Sequence, residues 1–390
     1  MSVLWTLSLV FSYLKLFSHG FLSPKSNVYS RRTPKHSTFA NTAVTRPVCI
    51  ITGATSGLGA AAAYALLVEG FYVVLVEDHL KLLSKVISDI KSQNQDACLK
   101  GFEVNLASFK SILEFNQSLQ QWLRDSNLHS SVQLLINNAG ILATSRRLTS
   151  EGYDQMLATN YIGAFCVTKV LLPLLENSPV PSRVVNVTSF THWNGWQRNC
   201  IWEEFYEIKY TYAHIYEYSK LCLLLFSYEL HRQINLKEIS SSLCCSKLII
   251  NQEASIFCTL DLLATDPGAV KTNIMREIPS CVSQMAFIVL KFLGLLQSSK
   301  TGVCSILDAA LAPPEVSGVY FFGGNGRSLN SSPLSYDANL AKELWATSCN
   351  CSKNCSWLPD WASVYDWIAK SLVSIRVFSS AMAMTIHHFL

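Results

Sequence analysis

Residues 47–79, PVCIITGATSGLGAAAAYALLVEGFYVVLVEDH, restrict the fold of this chain more than any other stretch. Val48 to Thr52 is a short, apolar, β-branched run and reads as a buried parallel strand. Gly53, Gly57 and Gly59 follow, with Ser56 and Leu58 among them, and then an alanine-rich stretch of good helix propensity. A second apolar run, Phe71 to Val76, completes a strand–turn–helix–strand unit. Glycines in such a turn let the backbone approach a pyrophosphate, whose charge meets the amides and dipole at the helix N-terminus. A glycine-spaced turn alone is a weak signal, because glycines also serve tight helix packing. Its place inside a βαβ unit points to a dinucleotide site. Thr52, Gly53, Ser56, Gly57, Leu58 and Gly59 are the candidate cradle.

Glu77 and Asp78 stand at the end of the second strand. A carboxylate there accepts hydrogen bonds from ribose hydroxyls and repels a 2′-phosphate, and no arginine stands in the first turn or directly after the strand. These residues favour NAD, with NADP as the alternative. Gln133 to Ile136 is another apolar strand, running into Asn137-Asn138-Ala139-Gly140. A segment with helical apolar spacing and Asn160 follows, and Arg183 to Thr188 is a further strand ending at Ser189. Alternating strands and helices imply an α/β fold with a doubly wound, Rossmann-type parallel sheet in a single catalytic domain. Functional residues then gather beyond the carboxyl ends of the strands.

Tyr216 and Lys220, in HIYEYSKLC, are four positions apart and share one helix face. An ammonium held near a phenol favours the phenolate and makes tyrosine a usable acid or base near neutrality. Alone, the pair is also an ordinary feature of an amphipathic helix. In order, TGATSGLG, NNAG, Asn160, Ser189 and YEYSK resemble a short-chain dehydrogenase/reductase over roughly residues 47–348. VNVTSFTH, DPGAVKTN, SGVYFFG and KELW resemble its retinol-dehydrogenase-like branch, and within it plant relatives of the X-linked dehydrogenase/reductase.

The resemblance implies an enzyme interconverting alcohols and carbonyls with a nicotinamide cofactor. It implies Tyr216 as general acid–base and Lys220 as its modulator and ribose ligand. Ser189 would hold the substrate oxygen, and Asn160 would position Lys220 through a water. Pro267, Gly268 and Thr272 would lie at the nicotinamide, Asn138 and Gly140 on the adenosine side of the pocket. Asn105 stands where the family usually has an aspartate near the adenine; its side-chain oxygen still accepts a hydrogen bond.

The remainder is less regular. Residues 3–22 are mostly apolar and about long enough to span a hydrocarbon core. The acid-free, basic stretch at 23–46 favours a cytosolic side, so segment 1–22 reads as a membrane anchor, with the catalytic domain at the endoplasmic reticulum. A Ser-rich, Arg-containing leader also fits a chloroplast or mitochondrial transit peptide. Residues 236–258 exceed an ordinary αβ connection, either as an unusual flap or as a gene-model error such as a retained intron, and 349–390 lies outside the resemblance. CVSQMAFIVLKFLGLL at 281–296 is either a core helix or an apolar lid over a lipophilic substrate.

The 390 residues are 49% apolar and carry a net charge of only +4, with no basic run interleaved with aromatics, which argues against nucleic acid. The 13 cysteines are odd in number and several fall in apolar runs, so reduced core thiols are expected and no metal is assigned. Expected partners are a lipophilic alcohol (retinoid-, steroid- or polyprenol-like), a membrane and a second copy in a homodimer. A dinucleotide-binding, redox-responsive component of an organelle import assembly is the other function considered.

Overall fold

A computed structural model describes residues 11–15, 18, 27–30, 46–126, 128–194, 212–245, 260–313 and 316–353. The central apolar runs form strands because they are buried on both faces, as a parallel sheet between helices demands, while the edge strand Leu99–Glu103 is partly exposed. In chain order these are β1 (Val48–Thr52), β2 (Tyr72–Glu77), β3 (Leu99–Glu103), β4 (Leu134–Asn137), β5 (Ser182–Val187) and β6 (Leu260–Asp266). A two-stranded ribbon, β7 (Ala269–Val270) with β8 (Leu296–Gln297), precedes β9 (Val319–Phe322). The main sheet has seven strands in the order β3-β2-β1-β4-β5-β6-β9. All its pairings are parallel, so the doubly wound α/β architecture expected from the alternation is present.

Helices α1 (Gly57–Val68), α2 (Leu80–Gln93), α3 (Phe109–Asp125), α4 (Gln155–Glu176) and α5 (Tyr212–Cys245) connect the strands and cover the sheet. They are followed by α6 (Ser280–Phe292), α7 (Ser299–Ala310) and α8 (Ala338–Lys353). One core cluster lies under α3, α4, α5 and α8, the other under α1, α2 and α7. Helix α4 is long and apolar enough to cross a membrane, but 72% of its most apolar window is buried, which marks it as a core helix.

An ion pair joins β5 to β6 inside the molecule. Arg183 and Asp261 are register partners, and the guanidinium donates to the carboxylate at 2.7 Å. The same guanidinium donates to the carbonyls of Ala309, Ala310 and Ala312, capping the C-terminus of α7.

Three irregular stretches are partly described. The segment at 236–258 is not wholly a loop: α5 continues helically to Cys245, and the rest lies outside the described residues. Helix α8 runs beyond residue 348 to Lys353, while the remainder of the tail lies outside the described residues. Of the apolar N-terminal stretch, residues 11–15 form a short helix against the catalytic domain, with Tyr13 buried. α6 has two faces, with Ala286 and Leu290 buried and Ile288 66% and Phe292 89% exposed. It is an amphipathic cover on the body and not a core helix.

Candidate active site

The carboxyl ends of β1, β2, β4, β5 and β6 open into a cleft of about 420 Å³. Gly53, Ser56, Gly57, Leu58, Glu77, Asp78, Asn105, Asn138, Gly140, Ser189, Tyr216, Lys220, Pro267, Gly268 and Thr272 line it. Thr52, Gly59 and Asn160 stand behind the lining. The Thr52 hydroxyl accepts from the amides of Asn138 and Ala139 at 3.0 and 3.1 Å and so ties the end of β4 to β1. Asn138 returns the tie, its side-chain amide donating to the carbonyls of Thr52 and Gly53 at 2.9 and 3.0 Å.

The glycine turn fits a pyrophosphate. Gly53 has φ +65°, which glycine adopts without strain, and α1 begins at Gly57, which lines the cleft. A Cβ at Gly59 would lie 2.6 Å from the Asn138 side-chain nitrogen and would strike the Gly53 carbonyl, so only glycine lets α1 pack so near the turn. Thr272 closes the cleft from the other side; a Cβ on Gly57 would meet its methyl at 3.2 Å. At the far end the Thr55 hydroxyl donates to Glu77, and Asn105 lines the wall while its oxygen accepts from the Ala107 amide at 2.9 Å.

The reactive end is built from β5 and α5. Ser189 stands two residues beyond β5, and its hydroxyl is hydrogen-bonded to Tyr216. His192 steadies this corner: its Nδ1 lies 2.6 Å from the Ser189 carbonyl, and its Nε2 accepts from the Ser332 amide at 3.1 Å. Burial holds His192 down at about 4, so it is neutral, with the proton on Nδ1. One turn after Tyr216, the Lys220 ammonium donates to the Val187 carbonyl at 2.9 Å and lies 5.8 Å from the Tyr216 ring centroid.

Asn160 sits on a π-helical turn, Ala158–Ile162. Its side chain exchanges both hydrogen bonds with the Ile141 backbone and donates to Ser219, the neighbour of Lys220. It makes no direct bond to Lys220. A Cβ on Gly140 would lie 3.5 Å from both Asn160 Oδ1 and Lys220 Nζ, so glycine keeps the space between them open.

Polyprenol dehydrogenase of Homo sapiens is 28% identical to this chain over 313 residues, covering 77% of the chain and 84% of that protein. Short-chain dehydrogenase TIC 32 A, chloroplastic, of Brassica napus is 28% identical, covering 76% of the chain and 85% of its own length. Retinol dehydrogenase 13 of Mus musculus is also 28% identical, with 77% and 81% covered. The short chain dehydrogenase family model matches residues 47–202. The match over residues 47–202 and the similarity of these relatives support a short-chain dehydrogenase/reductase. The similarity extends to a retinol dehydrogenase and to a plant short-chain dehydrogenase. This dehydrogenase is a nicotinamide-dependent oxidoreductase of alcohols and carbonyls.

Two electrostatic features depart from the sequence-based picture. Burial, and then the nearby Asp266 charge, push the Tyr216 phenol above its ordinary range, although the Ser189 hydroxyl pulls it down. The lowering expected from Lys220 does not dominate, because that ammonium is turned onto the Val187 carbonyl. Lys220 itself is lowered to about 8 by burial, with Asp266 opposing.

Asp266 is the functional-site residue that motif reading passed over: DPG draws attention to its turn and not to its carboxylate. It is fully buried, accepts from the Gly268 amide at 2.7 Å and the Tyr320 hydroxyl at 2.8 Å, and faces Lys220, Tyr216 and Tyr13. Burial raises its carboxyl from 3.8 to about 6. The native state therefore holds that proton more tightly than the unfolded chain, and stability falls as pH rises from about 4 to about 6. In this dehydrogenase the wild-type chain should lose roughly 2–3 kcal/mol relative to Asp266→Asn across that window. Urea melts of both chains at several pH values check it, and a pH-independent difference would refute the assignment.

Proposed function

We propose that this dehydrogenase oxidises a lipophilic primary or secondary alcohol, or reduces the matching carbonyl, using NAD. The observation that carries the reading is the meeting of Ser189, Tyr216 and Lys220 at an apolar wall. Tyr216 packs against a cluster containing Leu142, Phe190, Trp193, Ile278 and Leu290. Such a wall suits a hydrocarbon next to one convergent polar group. Retinoid-, steroid- and polyprenol-like alcohols fit this description, and the names of the polyprenol and retinol dehydrogenases similar to the chain support it.

Gly53, Ser56, Gly57 and Leu58 would hold the cofactor's pyrophosphate, Glu77 its adenosine ribose, and Thr272 with Gly268 its nicotinamide end. When bound there, the nicotinamide supplies hydride transfer to or from the carbinol carbon. Ser189 holds the substrate oxygen beside Tyr216. The raised Tyr216 phenol is a proton donor to a carbonyl oxygen in reduction; in oxidation its phenolate takes the hydroxyl proton. Lys220 is charged below about pH 8 and favours that phenolate. Asn160 fixes the Ile141 backbone and Ser219, and so the turn that carries Lys220.

The exposed apolar face of α6, with Met285, Ile288 and Phe292 next to Lys291, supports a place at a membrane surface. The test is turnover of retinol, a sterol and geranylgeraniol by the full chain with NAD and with NADP. No turnover despite dinucleotide binding would sink the reading.

The cofactor choice has its own check. Thr55 donates to the Glu77 carboxylate at the end of β2, where that carboxylate would meet a ribose hydroxyl pair. Glu77→Arg combined with Asp78→Ser should shift the NADH-to-NADPH affinity ratio by about tenfold or more toward NADPH, measured by fluorescence titration. An unchanged ratio removes Glu77 from the ribose site.

A further inference from the structure

The apolar cluster behind Tyr216 is completed by a residue from far outside the catalytic motifs. Tyr13, only 8% exposed, projects from the short helix at 11–15 into the cluster that Tyr216 packs against. Its ring meets the edges of Phe190, the neighbour of Ser189, at 5.0 Å and of Phe322 at 5.9 Å between centroids. Its hydroxyl bonds Gln297 on β8, and a Cβ on Gly268 would lie 3.6 Å from that hydroxyl. Tyr13 thus bridges the wall beside Ser189 and the turn expected at the nicotinamide. On its outer side Phe11 and Leu14 are 52% and 60% exposed.

A second attachment holds the same segment independently. Val28 bridges Arg327 in antiparallel fashion, the Tyr29 amide donates to the Gly326 carbonyl at 2.8 Å, and the Ser328 amide donates to Asn27 at 3.0 Å. Tyr29 lies against Phe321, with centroids 5.8 Å apart, in the cluster on the opposite face of the sheet from Tyr13 and Phe322. Phe321 and Phe322 are consecutive residues of β9, so their side chains alternate between faces. The N-terminal segment therefore straps the edge strand, with one tyrosine on each side. Gly326 makes room for the strap, since any side chain there would collide with the Tyr29 carbonyl.

We propose that Tyr13 is a specificity-determining residue, backing the apolar wall that limits how long a hydrocarbon can extend beyond Ser189 and Tyr216. The proposal rests on the lipophilic-alcohol reading but is tested by binding, which does not require turnover. The probes are prenol and geranylgeraniol, short and long isoprenoid alcohols, measured by equilibrium dialysis against the full chain saturated with NADH.

Tyr13→Ala should tighten geranylgeraniol binding about tenfold, the scale on which one pocket contact discriminates. Prenol binding should stay within about twofold, and Tyr13→Phe, which keeps the ring, should match the wild type for both alcohols. An unchanged geranylgeraniol-to-prenol ratio in Tyr13→Ala overturns the proposal, as does equal weakening of both. p-Benzoylphenylalanine at position 13 gives a check that needs no substrate: irradiation should join it to the peptide carrying Phe190 or the one carrying Phe322, and attachment elsewhere overturns it. Ratio-shifted binding without turnover would instead tell against the dehydrogenase reading while leaving Tyr13 as the backing of the wall.

Discussion

Tyr216→Phe is expected to lower turnover by roughly a thousandfold while NADH affinity stays within about twofold, the size of a lost general acid–base. The substitution removes one hydroxyl and keeps the ring that packs against the apolar cluster. Ser189 then loses one of its hydrogen-bond partners but keeps its place just beyond β5, because Thr191 donates to its hydroxyl at 3.1 Å and His192 bonds its carbonyl. A fall in turnover with intact dinucleotide titration assigns the proton step to this phenol. A variant that keeps most of its activity would move that step elsewhere.

Arg183→Met should cost about 3–5 kcal/mol, a large share of the stability of any domain. The arginine is buried between β5 and β6, and its loss leaves the Asp261 carboxylate inside without its cation. It also strips a donor from the carbonyls that close α7, whose other residues pack on the same core as β5. The midpoint of urea unfolding should fall with little change in slope. Asp261→Leu introduced together with Arg183→Met should recover part of the loss, since an apolar pair leaves no buried charge. If the single variant unfolds at the wild-type midpoint, the pair carries no net stability.

The parts of this molecule that could be read in the sequence are those whose evidence is local. TGATSGLG sits between two β-branched runs, and Tyr216 and Lys220 share a helix face by spacing alone. The strand ends carrying Asn138 and Ser189 followed from the same alternation, within a residue or two. What stayed hidden depends on partners far apart in the chain. Asp266 looked like part of a turn because nothing nearby in sequence shows that Tyr320 and the Lys220 region enclose it. Residues 236–245 looked like an insertion because Ser-rich sequence is a poor helix former in isolation; α5 carries it by continuation. The apolar pattern of residues 3–22 says that this stretch must be covered, by lipid or by protein. It cannot reveal that Tyr13 finds Phe190 and Phe322.

The strap at β9 also sets a timetable for synthesis. Asn27 and Ser328 are separated by 301 positions, so at about 5–20 residues per second the docking site emerges on the order of 15–60 s after its partner. Through that interval residues 11–15 and 27–30 lack the partners they have in the finished fold. Any receptor or bilayer that engages them competes against elongation rather than against the finished pocket. The attachment of the N-terminal segment can then be settled only after β9 has been made.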